Sequence, residues 1–141
     1  MFGAIVVGTD GSDTAKEAVR QAVELAKSLG GELLLVSAYQ PSAPATAEAR
    51  DPQWMVSAPE QVGALLKEAA ASAEAAGVPV QTFPRQGDPA DALLDVAEER
   101  DADLIVVGNK GMTGAKRFLL GSVPNRVSHH APCSVLIIRT S

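Results

Sequence analysis

The chain has 141 residues, of which 46% are hydrophobic and 21% charged, enough for one domain with one core and too few for two. A formal net charge of −5 and the lack of any apolar run of spanning length argue against partnership with a nucleic-acid backbone or a membrane. The lone cysteine, Cys133, excludes an internal disulfide, and the short apolar start runs into Asp10 without a basic lead, so a cytoplasmic location is expected.

The first apolar run, 4–7, predicts a strand. Ala15, Ala18, Val19, Ala22, Ala26 and Leu29 then recur at helical spacing, and Gly30-Gly31 stops that helix. A second strand is expected at 33–36. The segment 40–58 carries Pro41, Pro44 and Pro52 and has no clear period, so it predicts a long mobile loop. Ser57 and Glu60 have capping-box spacing. Behind them Val62, Leu65, Leu66, Ala69, Ala73 and Ala76 form an apolar stripe that ends at Gly77.

A third strand is expected at 78–83. Asp88 followed by Pro89 is a helix cap with a first-turn proline, and Leu93, Leu94 and Ala97 follow as the inward face. The acidic residues Asp95, Glu98, Glu99, Asp101 and Asp103 are most simply a solvated helix end. Strand runs at 104–107 and 135–138 flank a last short helix from Ser122 to about His130. The first, fourth and fifth strand runs are continuous rather than alternating, as expected where both faces of a strand are buried. Cys133, just before the last run, is therefore expected to be a buried, inert thiol. The order βαβαβαβαβ predicts an α/β fold, a parallel sheet with helices on both faces, as one domain over 1–141. Ligands on such sheets sit beyond the carboxyl ends of the strands, where strand order reverses.

The most informative stretch is 108–122, GNKGMTGAKRFLLGS. Gly108, two residues, Gly111, nine residues, Gly121 and Ser122 sit between a predicted strand and a predicted helix. Glycines let backbone N–H groups approach an anion, and Gly121-Ser122 would open a helix whose free N–H groups and dipole attract phosphate. Ser122 adds a hydroxyl donor, while Lys110, Lys116 and Arg117 could balance nucleotide charge. A plain surface loop is the competing reading, and the full spacing outweighs it.

Other constellations fail. There is no Gly-x4-Gly-Lys-[Ser/Thr], and Gly8 and Gly11 lack the spacing of a dinucleotide fingerprint. Motifs of adenylating enzymes are missing, and 83–85, Phe-Pro-Arg, supplies no acceptor Asp at the end of the third strand. His129 and His130 are adjacent, so on a helix they point about 100° apart and cannot pair as metal ligands. Solvated histidines at the negative end of a helix are the better reading.

The spacing G-x2-G-x9-G-[S/T] resembles the ATP-binding signature of the universal stress protein family. The opening VVGTDGSDTAKEAV and the ending GSVPNRVSHHAPCSVLII are similar to that family's first and last elements. The resemblance covers nearly the whole chain and is weakest over 40–58. It implies a five-stranded parallel sheet in order 3-2-1-4-5, of the Rossmann-like, adenine nucleotide alpha hydrolase-like type. It also implies an adenosine pocket from Gly8, Thr9 and Asp10, with backbone groups around Ala38 at the adenine edge and Val107 near ribose and adenine. Gly108, Gly111, Gly121, Ser122, Val123 and Pro124 would line the phosphate path. Asp10 is a candidate for ribose or metal contact, and equally a turn residue at the start of a helix.

The function so implied is a regulatory module of the stress response that binds adenine nucleotide. ATP is the first choice, with or without Mg2+, and AMP or cyclic AMP are alternatives. Hydrolysis would need a positioned base and a cation, for which Asp10 and Lys110 are the candidates, so turnover is expected to be slow or absent. An interaction protein of the same fold that needs no ligand is the competing class. In the implied strand order the last strand is an edge, continuously apolar and free of proline, so a homodimer through that strand is expected.

Overall fold

The computed structural model describes residues 2–39, 58–109 and 122–140. Their elements are β1 (Ala4–Gly8), α1 (Asp13–Leu29), β2 (Glu32–Tyr39), α2 (Ala58–Ala75), β3 (Val80–Gln86), α3 (Pro89–Glu99), β4 (Leu104–Gly108), α4 (Ser122–His130) and β5 (Ser134–Ile138). All strand pairs are parallel, in the order β3-β2-β1-β4-β5.

Side-chain alternation along the strands builds two cores. Ile5, Val7, Leu33 and Leu35 face one side, where they meet Ala18, Val19, Ala22 and Ala26 of α1 and Val62, Leu66 and Ala73 of α2. Val6, Leu34 and Val36 face the other, against Leu93 and Val96 of α3 and Val123 and Val127 of α4. Full burial of one Leu or Ile contributes about 1.5–3 kcal/mol, so these layers outweigh the weaker helix propensity of their β-branched members.

Local signals close the helices. Ser12 caps α1 by accepting from the Ala15 N–H, and the helix ends at Gly30, whose φ of 70° is left-handed. Asp88 caps α3 by accepting from the Asp91 N–H, with Pro89 in the first turn. The cap expected at Ser57 and most of the 40–58 segment lie outside the described residues, although Ala58 itself opens α2.

Three expectations need correction. The third strand runs Val80–Gln86 rather than 78–83, because Val78 is spent in the core beneath α2 and the polar stretch after Phe83 still pairs with β2. Leu29 lies 42% exposed at the end of α1, while Val23, outside the expected stripe, is buried. The last strand is not covered on both faces. Leu136 and Ile137 are each 39% exposed, because β5 is the edge strand of the described sheet. β1 and β4 do have the expected two buried faces.

Backbone direction also alternates, since both polar groups of one residue in a parallel strand point to the same neighbour. The Asn109 N–H donates to Ile138 O at 2.8 Å, so Ile138 bonds toward β4 and Ile137 turns its N–H and C=O outward. On the opposite edge Leu33 N–H donates to Pro79 O and Gly87 N–H to Tyr39 O. Odd-numbered residues of β3 therefore bond to β2, and Pro84 occupies an outward position.

Candidate functional site

The mouth of the sheet lies where strand order reverses, between the carboxyl ends of β1 and β4. The alternation points the backbone groups of Gly8 toward β4 and those of Gly108 toward β1. The register between these strands ends at Val7 and Val106, one residue before the end of β1 and two before the end of β4. The Gly8 carbonyl and Gly108 N–H thus face the gap at the point where the ladder stops. A cleft of about 20 Å³ sits there, lined by Gly8, Thr14, Ala15, Val107, Gly108 and Val123 among others. It admits a water or a single ligand oxygen, so a base or sugar would have to lie above it.

The turn from β1 into α1 forms one wall. The Thr9 N–H donates to Val36 O at 2.9 Å, tying the turn to β2. Thr9 is buried, and its Oγ1 accepts from the Gly11 N–H at 3.2 Å. Asp10 is exposed, and its Oδ1 accepts from the Ser12 N–H at 2.9 Å. This is an Asx turn, the structural role expected of that residue. Gly11 has a φ of 83°, and a Cβ there would come within 2.5 Å of Leu65 Cδ1. The positive φ therefore favours glycine, and any larger residue would also have to displace the Leu65 side-chain tip. Ala38 lies half-buried near the end of β2. Its backbone groups point to the β1 side, beyond Gly8, the last paired residue of β1.

The opposite wall is the start of α4. Ser122 is its exposed first residue, and Val123 and Pro124 are buried behind it. The first-turn N–H groups of a helix have no intrahelical acceptor, and Pro124 has none to satisfy. Arg126 fixes this helix by bridging to Asp91 at 2.7 Å and Asp88 at 3.7 Å, at the N-terminus of α3. Gly111 and Gly121, with Lys110, Lys116 and Arg117, lie outside the described residues.

A larger hollow of about 480 Å³ runs between α1 and α2, with Val19, Val23, Leu65 and Ala69 in its walls and Lys16 and Glu68 among its charged residues. Volume favours this groove, but the chemistry favours the mouth. Among the described residues, the mouth is where backbone groups from two strand ends face one cleft beside the start of a helix.

Residues 1–139 match the Universal stress protein family. The chain belongs to the universal stress protein family. A universal stress protein of Mycobacterium tuberculosis (strain ATCC 25618 / H37Rv) is 39% identical over 144 residues, 99% of this chain and 98% of that protein. A solved universal stress protein in complex with cAMP has a TM-score of 0.76 and 38% identity, over 99% of this chain and 98% of that one. A universal stress protein from Archaeoglobus fulgidus in complex with dAMP has a TM-score of 0.69 and 28% identity, over 99% of this chain and all of that one, 100%.

The described part of this universal stress protein brings Gly8, Val107, Gly108 and Val123 together in the small cleft. Thr9 and Asp10 follow Gly8 in the adjoining turn. Among the described residues no group of three or more His, Cys, Asp or Glu side chains could hold a metal ion. His129 and His130 end α4, both exposed, with the His129 Nδ1 2.8 Å from Asn125 O. Cys133 precedes β5 and is only partly buried, contrary to the expected buried strand position. Burial, and then the nearby Asp103 carboxylate, push its thiol pKa upward, which keeps it in the inert protonated form. No described helix is long and apolar enough to cross a membrane.

Sequence reasoning missed one pair next to Gly108. The Asn109 Oδ1 accepts from the Thr140 N–H at 2.9 Å and from Thr140 Oγ1 at 3.2 Å. A Cβ on Gly108 would stand 3.3 Å from Thr140 Cγ2. The chain after β5 thus lies against the first residues of the glycine loop. Asn109 directly follows a strand-ending glycine, which was a usable signal, but nothing local tied it to a residue 31 positions later.

Proposed function

We propose that this chain is a regulatory protein that binds an adenine nucleotide at the β1–β4 mouth, with ATP the first choice. The observation that carries this reading is the convergence of Gly8 and Gly108 backbone groups where the β1–β4 ladder stops, beside the first turn of α4. Solved relatives in complex with cAMP and dAMP support the adenine class, and both keep the two smaller nucleotides open as ligands. In this reading Gly108 and Ser122 offer donors to phosphate, joined by Gly111 and Gly121 from the loop beyond the described residues. Val123 and Pro124 back that wall. Asp10 lies within reach of the ribose or of a Mg2+ ion carried by ATP, and its Asx turn leaves the second carboxylate oxygen for that task. Ala38 presents its backbone edge to the base, and Val107 lines the cleft beneath.

These residues bind and orient. Asp10 and Lys110, the latter outside the described residues, are the candidates for hydrolysis, and the proposal keeps turnover slow or absent. The exposed Leu136 and Ile137 support a companion proposal, pairing of two copies through β5.

Thermal melting with ATP, AMP and cyclic AMP tests the reading. A ligand at 100 times its Kd stabilises the native state by about 2.7 kcal/mol, which raises the melting temperature measurably. The rank of the three shifts identifies the preferred nucleotide. Gly121→Asp would set a carboxylate where phosphate is expected and is predicted to abolish the ATP shift while the apo protein still melts cooperatively. No shift with any of the three nucleotides would overturn the reading in favour of an interaction protein that needs no ligand.

A further inference from the structure

We propose that Asn109, held in place by Thr140, is a further binding residue of the nucleotide mouth and donates its side-chain amide to an anionic oxygen of the ligand. The proposal rests on the reading above, and it concerns a position that the glycine signature leaves unspecified.

The argument begins with donor and acceptor bookkeeping. The Thr140 backbone N–H can only donate, so the Asn109 atom 2.9 Å away is the acceptor Oδ1. The Thr140 hydroxyl reinforces the same atom at 3.2 Å. With Oδ1 claimed twice, the planar amide is fixed in rotation, and Nδ2 is turned away from Thr140. The backbone on either side is fixed too: the Asn109 N–H donates to Ile138 O, and Thr140 packs over Gly108. Asn109 is only half-buried. Its Nδ2 is thus a pre-oriented donor pair beside Gly108, on the residue where the chain leaves β4 for the glycine loop. A neutral donor held by a second residue suits an anionic oxygen, because no side-chain freedom is lost when the ligand arrives. Thr140 is then a positioning residue that acts through Asn109.

Asn109→Asp separates this role from mere structure. A carboxylate keeps the acceptor that Thr140 needs, so the clamp survives, but it replaces the donor with a negative charge. ATP and adenosine are titrated calorimetrically into wild type, Asn109→Asp and Thr140→Val, with the apo melting temperature measured for each. ATP affinity of Asn109→Asp is expected to fall by roughly tenfold or more, with adenosine affinity within about twofold and apo stability retained. Thr140→Val, which keeps shape but loses the hydroxyl bond, is expected to weaken ATP by about two- to threefold. Unchanged ATP affinity in Asn109→Asp would overturn the proposal. Equal losses for ATP and adenosine would also overturn it, since a structural role weakens both alike. Unchanged ATP affinity in Thr140→Val would remove Thr140 from the positioning role. Wild type that binds neither ligand would instead overturn the nucleotide reading itself, and this proposal with it.

Discussion

The two edge strands of the sheet meet solvent in opposite ways. β3 carries Pro84 at an outward backbone position, so the N–H that a second strand would need is missing. Around it the surface is charged and held. Arg85 makes two hydrogen bonds to Glu99, at 2.9 and 2.7 Å, and Arg100 donates to Gln81 at 2.7 Å. Both guanidiniums also lie over the Phe83 ring, 5.6 and 5.4 Å from its centroid, covering the large apolar group of this strand. β5 is built differently. Its sequence SVLII holds neither proline nor charge, Ile137 turns an intact N–H and C=O outward, and Leu136 and Ile137 are exposed. With a guarded edge at one end of the sheet and an apolar one at the other, β5 is the edge at which the proposed pairing is to be tested.

The largest effect is expected from Ile137→Pro. The lost N–H is the outward one, so the β4–β5 ladder is retained while pairing with a second copy is blocked. Light scattering at micromolar concentration is expected to show a dimer in the wild type and a monomer in the variant. A wild-type monomer would break the contrast between the edges, and a dimer persisting in the folded variant would move the interface elsewhere.

Ile137→Lys asks whether apolar side chains, and not backbone groups alone, hold the pairing. A two-fold axis across β5 brings the two lysines toward each other, and the dimer dissociation constant is expected to rise by roughly tenfold. Sedimentation over a concentration series measures it.

Pro84→Val probes the guarded edge. Removing a proline from a compatible site restores unfolded-state freedom and is expected to cost about 0.4–1 kcal/mol in urea unfolding. It also returns an outward N–H to β3. Association gained at high protein concentration would identify Pro84 as the guard, whereas none would assign that role to the Arg85 and Arg100 side chains.

The smallest effect is a pH dependence of the ion pair between Arg85 of β3 and Glu99 of α3. The hydrogen bonds from Arg85 hold the Glu99 carboxyl below its usual range, so its folded pKa lies under its unfolded one. Its contribution is complete above the unfolded value and is lost as pH falls through the folded value. Glu99→Gln is expected to flatten part of the acid limb in a melting series and leave β5 pairing untouched, because Ser134–Ile138 contains no titratable group. Glu17, held down at about 2 by Arg20 and then Gln21, keeps its own share of that limb in both proteins.

Much of this molecule was legible in the order of its residues. Continuous apolar runs at β1 and β4, the cap at Asp88-Pro89, the stop at Gly30 and the bounds of α4 are local signals, set by backbone chemistry within a few residues. The spacing from Gly108 to Ser122, between a strand and a helix that are both present, suggests an anion-binding loop whose residues 110–121 lie outside the described residues. Strand order was not local, because periodicity says that strands are buried without saying beside which neighbour. It became available only through family resemblance.

What the tertiary structure alone decided depends on that order. β1 and β5 read alike as apolar runs, yet one has strands on both sides and the other a solvent edge. The outward phase of Pro84 and Ile137 follows from registers that no single segment contains. The convergence of Gly8 with Gly108, and the grip of Thr140 on Asn109, are contacts between distant stretches. They exist because the parallel crossovers return each carboxyl end to the same rim of the sheet, where groups far apart in sequence can act on one ligand.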